Sequence, residues 1–566
     1  MLLLLPPELV IYVLSFLDLF DILNASQSAC VEHNPNSTIP RPERLSILKT
    51  REEAWLHLTF DFFRVIPVEP PARLIRSCIV RDDIYLLYDN RSGIIHYINL
   101  PSTASDSLAW KRIDIEKRII GVGLNIPEHD LLAVLTSGPS SAGPQSVVFE
   151  VRLLQLSTGK PHPQTSSHIL FVAESPSERP SITIALEIVG VNLVLVAIHP
   201  SSSSQPHDYL YFFNWMNGEL KLKVDLQRGT YRPSLVFLNA DLVLVPNAHN
   251  VALDIWKIPS CVSKDIPSMF PIVSLELLPR PNTQHAGRFE CCAQPNPTAP
   301  FTAPSPSHSS VSPDLASPGS TAVCPTTAYR KKPFHTSPQD AVVVMNIDLE
   351  NPYMTKRMFV RRADLLEAVR RSSTGNFGGD EDDEENERQA QVGRQDETAG
   401  AGGEAEFTSS LLGYPIIKFS LWGAGITCCV QGGRYITASG TRCLFGYNLG
   451  CCELFEFNPL TVYRGRARTE LAHGRGGYSI ERRCVREMFV PAFMSSANNP
   501  RKEIPNSNAG PPTEGLNYLR IDFDVGEALR YAGAHGDVQT LIMDEERIIA
   551  VQVGVTTNIF LRPLRN

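Results

Sequence analysis

Hydrophobic and polar positions divide the chain into three textures. The first is helical. From Leu9 to Leu17 every residue except Ser15 is apolar or aromatic. Leu9, Val13, Phe16 and Leu17 fall on one helical face, and Val10, Leu14 and Leu17 widen it sideways. Pro6 and Pro7 suit the first turn, where a missing backbone N–H costs nothing. Asp18 breaks the run and is placed to cap a second short helix through Ile22 and Leu23. A helix apolar nearly all round must be buried nearly all round, and so short a segment cannot bury that surface alone. Part of it is expected to face another domain or another protein. Residues 34–42 (NPNSTIPRP) are a turn-rich break. A helix is then predicted from Glu43 to His57, with Leu45, Leu48 and Trp55 sharing a face with Glu52, and Leu56 and Leu58 broadening it.

The second texture starts near residue 66. Short runs of β-branched and aromatic residues alternate with turn residues. Ile84–Tyr88 precedes Ile94–Leu100; Asp130–Leu135 precedes Val147–Leu156; Asn192–Ile198 precedes Tyr209–Trp215 and Leu220–Val224; Asp241–Val245 precedes Val251–Ile258; Arg547–Val553 precedes Asn558–Leu561. The apolar strands start near 84, 131, 193 and 242, at intervals of 47, 62 and 49. Periods of this size suit propeller blades, each a sheet that cannot bury its faces alone. The tryptophan–aspartate and kelch double-glycine signatures are absent. The expected fold is a small all-α N-terminal module followed by a large all-β domain, a degenerate β-propeller of about six or seven blades. A pair of β-sandwiches or another irregular all-β domain is the alternative. The C-terminal strands near 548–562 are expected to close the ring near the first blade.

The third texture is low in apolar period. Residues 279–340, rich in Pro, Ser and Thr, and residues 372–410, rich in Gly and acids, are expected to be disordered insertions. Ser-Pro steps at Ser305, Ser312, Ser317 and Ser337 are candidate phosphorylation sites, and equally what any Ser/Pro-rich loop contains. Between the insertions, Arg361–Arg371 (RRADLLEAVRR) reads as a short helix with Leu365, Leu366 and Val369 on one side. A solvated charged helix is the plain reading of it; a nuclear-localisation patch with Lys356 and Arg357 is the alternative. The net charge of −8 is local, because residues 380–406 alone hold 11 acids and 2 Arg. No overall field therefore points to nucleic acid or to any charged partner.

Candidate chemistry is sparse. Three of the 12 Cys positions start adjacent pairs, Cys291-Cys292, Cys428-Cys429 and Cys451-Cys452, and no C-x-x-C or finger spacing occurs. Neighbouring strand residues point to opposite faces, so these pairs make poor chelates and read as buried free thiols rather than zinc ligands. There is no phosphate loop, nucleophile elbow or H-E-x-x-H. No catalytic residue, metal or cofactor is assigned; a catalytic site assembled across blades is the dissenting possibility. A secretory signal is disfavoured by the missing basic region and by Pro6, Pro7 and Glu8, and a membrane span by Asp18 and Asp21. A reducing cytosol or nucleus is the expected compartment.

The opening stretch resembles an F-box. Leu5, Pro6, Glu8 and Leu9 match the Leu-Pro-x-Glu-Leu start; Val13, Leu14 and Leu17 match the central core; Asp21, Ile22 and Leu23 follow, then Ser26 and Cys30. Val31, Glu32 and His33 stand where the family usually has a basic residue and an aromatic, so a short or atypical third helix is expected. Arg44, Leu45, Leu48, Arg51, Ala54 and Trp55 are similar to the linker helix that follows the box in many fungal F-box proteins. The resemblance covers about 30 of 566 residues. It divides the chain into an F-box at 1–34, a linker region at 35–65 and a β domain at 66–566. It implies a non-catalytic substrate-recognition subunit of a Skp–cullin–F-box ubiquitin ligase. Leu5, Pro6, Leu9, Val13, Leu14, Leu17, Ile22 and Leu23 would contact the Skp adaptor, and the β domain would hold an unknown protein client. A non-degradative propeller scaffold is the alternative.

Overall fold

The computed structural model describes residues 31–33, 39–58, 60–67 and 77–297, with breaks in the last span at 91, 102, 104, 141–142, 176–181, 200–206, 261–269 and 278–285. Beyond these it describes 334–349, 355–374, 415–417, 427–430, 435–446, 451–462 without 460, 485–490, 518–524, 538–552 and 557–563. Among the described residues the strands form seven sheets of four or five strands, apart from one two-stranded ribbon. Blade 1 holds Ser77–Arg81, Ile84–Tyr88, Ile94–Asn99 and Lys111–Asp114. Blade 2 runs from Arg118–Asn125 to Ile169–Ser175, blade 3 from Thr183–Val189 to Glu219–Gln227, and blade 4 from Val236–Phe237 to Val273–Glu276. Blade 5 comprises Ala286–Cys292, Val342–Leu349, Thr355–Arg361 and Thr427–Val430. Blade 6 begins at Tyr435–Ser439, and blade 7 at Val538–Met543. Blades 4 and 6 each carry a fifth strand, Ile416–Ile417 running parallel and Val485–Val490 antiparallel.

This is a β-propeller. First strands of successive blades lie against each other, as Arg118–Asn125 does against Thr183–Val189 and Tyr435–Ser439 against Val538–Met543. Hydrophobic clusters fill the gaps between blades 1 and 2 (Leu86, Leu132), 2 and 3 (Leu153, Leu195), 3 and 4 (Val194, Val243), 4 and 5 (Ile255, Met345), and 5 and 6 (Phe359, Phe445). Second strands are sandwiched on both sides, which is why all seven residues of Asn192–Ile198 are buried and the strand reads as an unbroken apolar run. Gly121 and Gly123 permit the close approach of blades 2 and 3: a Cβ on Gly123 would stand 1.9 Å from Leu186 Cδ2.

The ring is closed by a strand from the start of the chain. Phe60–Pro67 pairs antiparallel with Thr557–Pro563, from Phe60 opposite Pro563 to Pro67 opposite Thr557. Ile66 packs with Tyr85 and Ile98 of blade 1 and with Ile549 of blade 7. Pairing removes the free edge that Thr557–Pro563 would otherwise present. The β domain thus begins at Phe60, inside the region expected to be linker. A partner strand almost five hundred residues away leaves no local mark in the sequence.

Three further expectations are corrected. Ala286–Cys292 lies within the supposed insertion 279–340 yet is the first strand of blade 5, with Ala286, Phe289 and Cys291 in the core. The helix at 361–371 is not a solvated one: it spans Arg362–Thr374, and Leu365, Ala368 and Val369 are buried in the core between blades 4 and 5. Arg357 and Arg362 are buried as well, so they form no exposed basic patch. Val31–His33 is a strand rather than a third helix and pairs with Phe334–Thr336 in the two-stranded ribbon. Residues 298–333 and 375–414 lie outside the described residues.

Candidate functional site

The residues expected to contact an adaptor, Leu5, Pro6, Leu9, Val13, Leu14, Leu17, Ile22 and Leu23, lie outside the described residues, as do Ser305, Ser312 and Ser317. Ser337 is buried. The helix that follows them lies within the described residues. Helix α1 spans Arg41–His57, with Pro42 in its first turn and Leu58 closing it in a left-handed conformation (φ 45°). Arg44, Leu48, Glu52 and Trp55 recur at intervals of three or four and are all buried, so they share the inward face. The face is half polar, which is unusual for a buried stripe; Arg44 Nε donates to the Ile39 carbonyl just before the helix, while Glu52 and Trp55 have partners on the propeller.

Glu52 bonds to Arg442 at the start of the second strand of blade 6. Arg442 Nε also donates to Glu456 Oε2 at 2.6 Å, and Glu456 Oε1 accepts from Thr441 Oγ1 at 2.9 Å and from the Asn458 N–H at 2.8 Å. Arg51 Nε donates to Glu52 Oε1 at 3.2 Å. The Arg442 guanidinium lies 4.9 Å from the centre of the Trp55 ring. Two carboxylates thus meet two guanidiniums, so the buried cluster is charge-balanced, as a low-dielectric site requires. Burial raises the Glu52 carboxyl, but Arg442 and Arg51 outweigh it and hold the group below its ordinary range. Burial and the nearby Glu52 charge prevail at Glu456, which is pushed up despite Arg442. Trp55 Nε1–H donates to the Glu545 carbonyl oxygen at 3.1 Å, in the turn between the first two strands of blade 7.

The polar contacts of Glu52 and Trp55 fall on the end of the ring where first strands turn into second strands. The same end carries a second polar assembly at the axis. Arg81 of blade 1 donates to Glu187 of blade 3 at 2.9 and 3.0 Å and to the Leu124 carbonyl of blade 2 at 2.9 Å. Asn296 Nδ2 donates to Glu187 Oε2 at 2.8 Å. The Gly440 N–H of blade 6 donates to the Gln294 carbonyl at 2.6 Å, and Arg362 Nη1 to the Pro295 carbonyl at 2.9 Å. Residues 294–296 therefore link blade 6 to blade 3, nearly opposite in a ring of seven, and lie across the axis. Burial pushes the Arg362 guanidinium down to about 9, only partly offset by Glu187. A third cluster seals blade 7 to blade 1: Arg547 Nη1 meets Asp83 Oδ1 at 2.5 Å and Asp544 Oδ2 at 2.7 Å.

These assemblies hold elements in place, although Arg362 Nε and Nη2 and Arg547 Nε are buried without a hydrogen-bond partner among the described residues. Among the described residues no three His, Cys, Asp or Glu side chains group as a metal site would need. Cys291 faces the core between blades 4 and 5, while Cys292 faces that between blades 5 and 6. Burial, aided by Glu290, pushes the Cys292 thiol up to about 12, so it is not an activated nucleophile. Sequence reasoning placed Glu52 and Trp55 on the inward face of α1 but found none of Arg81, Glu187, Arg362, Arg442 and Glu545. Arg81 and Arg442 sit at strand ends, Glu187 within a strand, Arg362 at a helix start and Glu545 in a turn, and nothing local in the sequence marks any of them as buried.

No family model matches the chain, and no curated protein matches it in sequence. Solved structures match the chain at low identity. The β-propeller domain of Myceliophteria thermophila Cps50 (Swd1) is 9% identical, with 87% of this chain and 99% of that one covered, at a TM-score of 0.33. A chain from a humanized mutant of the Chaetomium thermophilum Polycomb Repressive Complex 2 bound to the inhibitor GSK126 is 9% identical, covering 89% and 97%, at 0.36. A chain from the complex of KlAtg21 with the coiled coil of AgAtg16 is 13% identical, covering 51% and 65%, at 0.24.

Proposed function

We propose that this protein is the substrate-recognition subunit of a Skp–cullin–F-box ubiquitin ligase. Residues 5–23 dock on the Skp adaptor, and the propeller serves as a protein-interaction scaffold that holds a client. The subunit performs no bond chemistry. It supplies proximity, raising the effective concentration of client lysines beside the ubiquitin-charged enzyme. Such a subunit acts in the cytoplasm or nucleus; no helix among the described residues is long and apolar enough to cross a membrane.

The observation that supports this reading is the seating of α1. The F-box-like motif is followed by a helix fixed to blades 6 and 7 by Trp55, Glu52 and Arg442. A receptor of this kind needs a rigid joint, because a client held on a swinging ring samples the transfer site rarely. The test is affinity capture of the tagged full chain from cells with the proteasome inhibited, beside a chain lacking residues 1–34. The full chain is expected to bring down adaptor, cullin and client, and the deleted chain client alone. Capture of client but no adaptor by the full chain would refute the ligase role and leave a non-degradative scaffold.

A further inference from the structure

Helix α1 and the ribbon formed by Val31–His33 and Phe334–Thr336 stand on the same two turns of the propeller. In blade 7, the turn residue Glu545 serves both. Its backbone carbonyl accepts from Trp55 Nε1–H of the helix at 3.1 Å, and its carboxylate Oε1 accepts the backbone N–H of Thr336 of the ribbon at 3.1 Å. In blade 6, the turn Gly440–Arg442 also serves both. Arg442 reaches Glu52 of the helix, while Thr336 packs on Gly440 so closely that a Cβ there would stand 2.5 Å from Thr336 Cγ2. Thr336 and Trp55 are both buried.

We infer that Glu545 is a positioning residue that joins ribbon and helix into one strap, so that loosening either releases the other. The strap holds both chain segments nearest the adaptor-docking motif: Val31–His33, directly after it, through the ribbon, and Arg41–His57 through the helix. Its significance for ligase geometry rests on the proposed function; the mechanical coupling does not. Coupling through a shared anchor is reciprocal, which gives the inference its test. Replacing Glu545 by Ala removes only the ribbon's acceptor, since the carbonyl that receives Trp55 belongs to the backbone. Replacing Trp55 by Phe removes the helix's donor and part of its buried ring while leaving the Glu545 carboxylate and its bond to Thr336 untouched.

The experiment is amide hydrogen exchange on the full chain for wild type, Glu545→Ala, Glu545→Gln and Trp55→Phe. Glu545→Ala is expected to speed exchange at Thr336, and with it across residues 50–57, by on the order of tenfold. Trp55→Phe is expected to do the same in the opposite direction, from helix to ribbon. Glu545→Gln, which keeps an acceptor, is expected to stay near wild type. The strands at 131–135 and 192–198 serve as the control and are expected to be unchanged. Acceleration confined to one element in either variant would overturn the coupling, and so would acceleration of the control strands. Adaptor capture is measured on the same samples. Failure of the wild type to capture adaptor would refute the ligase reading while leaving the strap intact; loss of coupling with capture preserved would do the reverse.

Discussion

Replacing Trp55 by Ala is expected to free helix α1 while leaving the propeller folded. Trp55 is 1% exposed, donates one hydrogen bond to the Glu545 carbonyl and lies against the Arg442 guanidinium. Truncating a buried Trp costs ~3–5 kcal/mol. The lost hydrogen bond adds about 1 kcal/mol and the desolvated cation–π contact about 2 kcal/mol, though not additively. A loss of roughly 4 kcal/mol corresponds to about a thousandfold in the docking equilibrium. An undocked helix of 17 residues is marginal in water, so undocking should also melt it. Hydrogen exchange read by mass spectrometry should show residues 41–57 approaching the unprotected rate. Protection in blades 1 to 4 should stay, because Trp55 contributes to none of their clusters. Unchanged protection of the helix would refute the claim that Trp55 holds it. Loss of protection throughout the ring would show that the helix is a core element rather than a docked one.

Two further outcomes are expected. Because Glu52 ionises below its ordinary value of 4.5 when folded, the stability it contributes is fully present above that pH and is lost as pH falls through the lower folded value. Protection of α1 should therefore hold from neutral pH down to about 4.5 and fall below it, and Glu52→Gln should abolish that fall; a loss of protection between pH 7 and 5 would contradict the assignment. Gly123→Ala should destabilise by ~1–3 kcal/mol, since its Cβ would overlap Leu186, and combining it with Leu186→Ala should cost less than the two changes summed. Denaturation midpoints showing simple additivity would mean that the two first strands do not meet there.

The sequence was most legible where burial is two-sided. Asn192–Ile198 and Leu131–Leu135 are sandwiched between neighbouring blades, so hydrophobicity alone marks them, and their spacing suggested a ring. Ala286–Cys292 was obscured by its bulge at Gly287 and Arg288, which breaks the alternation, and by the prolines around it. The closing strand Phe60–Pro67 could not be paired from sequence, because register with Thr557–Pro563 is a property of the assembled ring. Arg362 misled and Arg442 drew no reading for another reason: a charge in sequence suggests solvent, and only the folded chain brings Pro295 to one and Glu52 and Glu456 to the other. On α1 the spacing of Leu48, Glu52 and Trp55 sufficed to define the inward face, but not what it would meet.

The central claim is that residues 5–23 form an adaptor surface carried by an independently folded propeller. Titration of purified Skp adaptor against the full chain and against the double variant Leu14→Ala, Leu17→Ala tests it most directly, with thermal unfolding recorded for both. A buried Leu truncated at an interface costs ~2–5 kcal/mol, roughly 30- to several-thousand-fold in affinity for each change. The account predicts tight binding by the wild type, no measurable binding by the variant and the same melting temperature for both. Equal binding by the two proteins, or a variant whose propeller melts with its N-terminus, would contradict it.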